Sequence, residues 1–206
     1  MQATLHRHLW AVPFEIAMLC GVWLTFNVQH WVHFGISIFT FLVCFTPILF
    51  ERVAQKKVPA IMQAIFAGYM FFSMFLGEVF FLYRDVRGWD AAMHVVSGAL
   101  IAFLFILWIR RLIAKQTVRF SSWYQTFFVI ACGIMAAAVW ELVEFASDTL
   151  FGAKSQDGSL YDTMTDLLYG TTGTIIMALS YELYQRRRRA KIIGWLIREF
   201  ERLNPL

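Results

Sequence analysis

Seven side chains able to hold a metal ion, carry a proton or act as a base fall into three groups in the second half of this 206-residue chain. They are Asp90 and His94, then Glu141, Glu144 and Asp148, then Asp162 and Asp166. Each group lies at one end of a long apolar stretch. An ionised residue at the centre of a membrane helix costs roughly 2.5–3.5 kcal/mol, so such residues usually face a shared interior. Successive helical residues turn by about 100°, which keeps each group on one face: the two pairs are one helical turn apart, and the acidic trio falls within roughly 60°. Carboxylates with one imidazole suit Mg, Mn, Ca, Fe or Zn without selecting among them.

Plainer roles account for part of this pattern. Asp90 and Asp162 stand where an Asp would cap a helix N-terminus and complement its dipole. Glu141 and Glu144 approach a helix C-terminus, where the dipole opposes negative charge, and Glu141 lies roughly 10 Å inward of Asp148, so both need a partner. His94 alone fits a hydrogen-bonded bundle histidine as well as a ligand. Glu78, His30 and His33 are outlying candidates for the same region.

The elements that must position these groups follow from composition. The chain is 59% hydrophobic, 17% aromatic and 16% charged, whereas a soluble domain carries about 25% charged residues. An all-α integral membrane protein is expected. Six apolar stretches, near 9–28, 31–50, 59–83, 89–109, 123–148 and 162–184, are each long enough to cross about 30 Å of hydrocarbon as a helix. Only Gln29 and His30 separate the first two, which predicts a tight helical hairpin, and Trp10, Trp31, Trp89, Trp108 and Trp123 sit at stretch ends as interfacial anchors. Cys20, Cys44 and Cys132 lie within apolar stretches with no thiolate metal spacing and read as small core residues. No small-residue cleavage site follows the first stretch, so it is expected to remain as an anchor with the mature chain starting near Met1. Residues 1–185 read as one six-helix transmembrane domain and 186–206 as a basic tail.

Basic residues are retained on the cytoplasmic side, and here they are one-sided. Arg7, Arg52, Lys56, Lys57, Arg110, Arg111, Lys115, Arg119, Arg186 to Arg189, Lys191, Arg198 and Arg202 share one side, leaving only Arg84, Arg87 and Lys154 on the other. Both termini are therefore expected in the cytoplasm of a bacterial cell, with the chain in its inner membrane. The net charge of +4 reflects retention signals and gives no reason to expect nucleic acid as a partner. On the outer side stand nine acids: Glu78, Asp85, Asp90, Glu141, Glu144, Asp148, Asp157, Asp162 and Asp166. Three cations cannot balance them. A divalent metal, protons held by the carboxyl groups, or a cationic substrate must do so.

Small residues continue the faces of the acidic groups: Ser97 and Gly98 after His94, Gly133 and Ala137 before Glu141, Gly170 and Gly173 after Asp166. Small residues let helix backbones approach closely in lipid, so the last three helices are expected to converge. After the arginine run, Ile192, Ile193, Leu196, Ile197, Phe200 and Leu203 recur at helical spacing among Lys191, Arg198, Glu199, Glu201 and Arg202. This C-terminal amphipathic helix is expected on the inner leaflet among membrane lipids, with a protein partner as the alternative.

Asp90 and His94 with Ser97-Gly98, Trp140-Glu141-x-x-Glu144 with Asp148, and Asp162-x-x-x-Asp166 with its glycines together resemble the YjdF family of bacterial multi-pass inner-membrane proteins. The likeness spans about residues 75–185 and is distantly similar to the VanZ-like proteins; Ala91 and Ala92 stand where the family favours an Arg. The resemblance implies a helical membrane fold and brings no activity with it. Three functions stay open. An enzyme would hold a divalent metal between His94, Glu141, Glu144 and Asp166 and act as a hydrolase or transferase on an envelope lipid, activating water with a spare carboxylate. The loop Thr149 to Tyr161, with Gly152 and Asp157-Gly158, serves as its lid or as a plain connection. A ligand-binding, sensory or structural protein would use the same carboxylates to clamp helices or bind an external small molecule. A cation or proton transporter would need a polar route inward, where Glu182 and Glu15 are the acids in reach. A reporter fused after Leu206 is expected to be active only in the cytoplasm; activity in the periplasm would invert the placement of every acid.

Overall fold

An apolar segment in lipid has no water to satisfy its peptide groups, so it must pair them internally, and helices do this within one segment. The computed structural model describes residues 7–116, 119–152, 155–156, 159–187 and 189–205. Lys154, Asp157, Gly158 and Arg188 lie outside the described residues. Among the described residues the elements are α1 (Val12–Asn27), α2 (Trp31–Val43), α3 (Thr46–Ala54), α4 (Ala60–Met70), a π-helical segment (Phe71–Val79), α5 (Leu82–Asp85), α6 (Trp89–Ala114), α7 (Ser122–Phe151), α8 (Leu160–Arg187) and α9 (Lys191–Leu203), with no strand. Four stretches are long and apolar enough to cross a membrane: Trp31–Ala54, Ala60–Val79, Trp89–Ala114 and Ser122–Leu150. Of the other two expected spans, α1 is apolar but has 16 residues. The second, α8, has 28 residues but is diluted by Asp162, Asp166 and its threonines.

The contacts divide into two compact units, one running to Trp89 and including Leu196–Pro205, the other running from Asp90 to Trp195. In the first, α1 and α2 form the expected hairpin, turning at Gln29 with φ 57°. The second stretch is broken at Cys44 and Phe45, because Pro47 in the first turn of α3 cannot donate to residue 43 and its ring crowds that carbonyl. The third stretch ends earlier than its hydropathy suggests. Its last two turns are π-helical, Phe81 is left-handed at φ 62°, and Tyr83 folds back so that its ring occupies the space above Gly77 and its hydroxyl meets Ser73 Oγ at 2.9 Å.

Charge inside this unit is paired. Arg7 donates to Glu51 at 2.7 Å, and His8 Nε2 lies 2.6 Å from Glu15 Oε1 while its Nδ1 meets Gln63 Oε1 at 2.8 Å. The tail helix α9 is fastened to protein. Asn204 accepts from the Lys57 amide at 2.7 Å and donates to the Lys57 carbonyl at 2.8 Å, clipping the end of α9 to the loop before α4. Ile193 and Ile197 are buried while Ile192 and Trp195 stay exposed, so part of the apolar face is spent on protein.

In the second unit α6, α7 and α8 meet along small residues. A Cβ at Gly98 would overlap the carbonyl of Gly170, and one at Gly173 would overlap the carbonyl of Val95. The backbones of α6 and α8 are therefore in contact, as the small residues anticipate. Thr174 fills the space above Gly133 of α7 and donates to the Gly98 carbonyl at 3.2 Å, joining three helices at one level. Nearer the other end, Thr126 donates to Glu182 at 2.6 Å and buried Tyr181 donates to Gln125 Oε1 at 2.7 Å. Gly173→Ala is expected to lower stability by about 1–3 kcal/mol through forced helix separation. Gly35→Ala, with nothing within 4 Å of the new methyl, is the control that should not destabilise; thermal unfolding in detergent compares the two.

Candidate functional site

The glycine contact positions the chemistry. Asp166 precedes Gly170 by one turn of α8 and His94 precedes Gly98 by one turn of α6, so where the backbones touch, these side chains converge one turn away. His94 Nε2 lies 3.8 Å from Asp166 Oδ1 and 3.4 Å from Asp90 Oδ1, one turn earlier on its own helix. Among the described residues, Asp90, His94 and Asp166 each offer a ligand atom, and these atoms lie within 4.8 Å of one another. Ligands about 2.0–2.2 Å from a common metal stand roughly 3.0–3.5 Å apart, so small side-chain adjustments would close this group on an ion. The Asp166 side chain is 5% exposed and that of His94 16%, while Asp90 at 39% opens outward. This arrangement leaves an accessible coordination position beside a mostly buried imidazole and carboxylate.

The other four residues singled out by spacing stand around this trio in different ways. Glu144 accepts from the Trp140 indole at 2.7 Å. Glu141 is 5% exposed, and its carboxylate meets Gln156 Nε2 at 3.4 Å; it does not join the group formed by Asp90, His94 and Asp166. Asp148 turns to the following loop, accepting the amides of Ser155 at 2.8 Å and Gln156 at 3.0 Å, while Gly152 closes α7 in the left-handed conformation at φ 68°. Asp162 lies in the first turn of α8, where Ser159 Oγ, not an Asp side chain, accepts the Asp162 amide at 3.4 Å. The close group of potential ligands thus contains Asp90 with His94 and Asp166, and among the described residues it does not include Glu141 or Glu144.

Two contacts were not foreseen from sequence. Trp140 and Glu144 are one helical turn apart, and that spacing carries a signal for the pair. Gln156 has no local signal, since it reaches Glu141 only because Asp148 folds the loop back. Glu78, His30 and His33 belong to the first unit, where the two imidazoles lie tilted with centroids 5.3 Å apart and His33 packs edge-on against Phe81 at 4.9 Å. Arg84 is also in the first unit and donates to Asp85 at 2.8 Å, which holds the Asp85 carboxyl below the ordinary carboxylate range.

The sequence profile of a family of predicted membrane proteins, DUF2238, matches residues 8–187. An uncharacterized protein of Thermotoga maritima is 23% identical over 136 residues, covering 65% of this chain and 68% of that protein. No solved structure matches. Replacing Asp148 with Ala should speed amide hydrogen exchange at Ser155 and Gln156 by about tenfold, as expected when charge-assisted hydrogen bonds to those amides are lost; unchanged exchange would show that the loop is held by something else.

Proposed function

Because the chain belongs to a family of predicted membrane proteins, DUF2238, we propose that it is a multi-pass protein of the bacterial inner membrane that holds a divalent cation between Asp90, His94 and Asp166. In this reading all six apolar stretches span, both termini are cytoplasmic, and the cation site opens outward. The motif likeness to the YjdF family, and more distantly to VanZ-like proteins, agrees with that placement. The observation that carries the proposal is the approach of three ligand atoms from two helices to within 4.8 Å. One imidazole and two carboxylates suit Mn, Fe or Zn, and also Mg or Ca where water completes the shell.

Such a cation would polarise a phosphoryl or acyl oxygen and lower the pKa of a bound water. A hydrolase or transferase acting on an envelope lipid is the activity we infer. His94 and Asp166 would hold the ion in the buried half of the site, Asp90 would close the exposed side, and Glu144, steadied by Trp140, would be the spare carboxylate. Glu141 would shape the field of the site from outside the ligand shell. A ligand-binding or sensory protein is the second reading, in which the same close group of Asp90, His94 and Asp166 would take up a cation without any reaction. Transport ranks below both, because the backbone contact of Gly98 with Gly170 and of Val95 with Gly173 leaves no space for an ion between α6 and α8 one turn inward of the site.

Metal analysis of the full chain purified in detergent, with titration of Mn as the spectroscopic probe, tests the site. Wild type should bind one ion, Asp166→Asn and Asp90→Asn should weaken binding by at least about a hundredfold, and Glu141→Gln should change it little. Wild-type protein that binds none of Mg, Mn, Ca, Fe or Zn stoichiometrically would remove the metal reading.

A further inference from the structure

Beside the proposed cation site, α7 and α8 enclose a groove of about 720 Å³, a volume within the range of small-molecule sites. Ala138, Leu142 and Phe145 line it from α7 at helical spacing, and Leu160 and Leu167 from α8. Three of these walls are far from covered: Leu142 is 65% exposed, Phe145 59% and Leu160 74%. In a membrane protein such walls meet lipid. α7 has 30 residues and so is about 45 Å long, some 15 Å more than the hydrocarbon it crosses. Its last turns therefore reach the headgroup level, and Trp140, half exposed, sits where an interfacial indole belongs. Glu141 follows Trp140 and lines the groove.

Charge decides what the groove accepts. Among the described residues, the lining includes the carboxylates Glu141 and Asp148 and no Lys or Arg. Asp148 is occupied, since both its oxygens accept loop amides. Glu141 is not: it is 5% exposed, and the long 3.4 Å contact from Gln156 leaves most of its four lone-pair positions open. A buried carboxylate so placed favours a cationic donor, whose charge offsets the cost of burying it.

We propose that this groove seats the headgroup of an amine-bearing phospholipid, with its ammonium on Glu141 and its chains leaving past Ala138 and Leu167 into the bilayer. The proposal rests on the reading of the substrate as an envelope lipid and supplies its class. Lipid selection then comes from Glu141 and the groove walls, while the cation stays with Asp90, His94 and Asp166.

Native mass spectrometry of the full chain, taken from nanodiscs containing equal phosphatidylethanolamine and phosphatidylglycerol, reads retained lipid without requiring turnover or metal. Wild type should keep phosphatidylethanolamine over phosphatidylglycerol by about tenfold, the size of one hydrogen-bonded charge contact. Glu141→Gln should equalise the two, and Leu142→Trp, which fills the groove, should lower both. Mn titration of the same samples monitors the cation site separately, so loss of metal binding with intact lipid selection would overturn the metal reading and leave this one standing. Equal retention by wild type, a selection that survives Glu141→Gln, or a dimer that excludes lipid from the groove would overturn the present proposal.

Discussion

The second unit depends on how closely α6 and α8 can approach. In lipid the hydrophobic effect gives helices no reason to associate, so association rests on packing and on polar contacts. Gly98, Gly170 and Gly173 remove the side chains that would hold the backbones apart, and a single methyl at Gly98 or Gly173 would meet a carbonyl oxygen of the neighbouring helix. The Thr174 hydrogen bond to Gly98 and the seat of Thr174 over Gly133 extend that contact to α7. This close interface brings His94 to 3.8 Å from Asp166, a separation that a pair of ordinary leucine-faced helices, with axes about 8–10 Å apart, would not favour.

Electrostatics follows from that geometry. Charges in an apolar helix are tolerated when they face one another, and both units obey the rule by different means. In the first, each buried carboxylate has a basic partner, Glu51 with Arg7 and Glu15 with His8. In the second, Glu182 is met by Thr126 and Ser122 and by Arg186, whereas the opposite end gathers Asp90, Asp166, Glu141 and Glu144 around one imidazole. That excess of acidic over basic side chains among the described residues motivates the cation we propose there.

Much of the site was legible because helix periodicity is a local property. The one-turn spacing of Asp90 and His94 and the small residues continuing each acidic face both announce which sides of the helices meet. What periodicity cannot announce is rotation about the helix axis to within one side chain. Glu141 and Glu144 share the acidic arc with Asp148, yet Asp148 serves the loop, Glu144 takes the Trp140 indole and Glu141 faces the α7–α8 groove. Asp90 joins the ligand group because Asp166 arrives beside it, a contact between residues 76 positions apart in the chain that no local pattern encodes.

From its sequence alone the chain determined its class, its long apolar helices, the hairpin at Gln29 and the faces on which acids and glycines lie, because hydropathy and periodicity act within one segment. Pro47 also breaks the second stretch by a local rule, while the π-helical winding of Phe71–Val79 has no comparable signal. Only the tertiary structure decided that Asn204 fastens the tail to Lys57, that Gln156 covers Glu141, and that Asp90, His94 and Asp166 form one group. Each of these requires two distant segments to meet at a distance of a few ångströms. For the Asp90, His94 and Asp166 group that distance is set by which side chains are missing between the backbones, above all at Gly98 and Gly173.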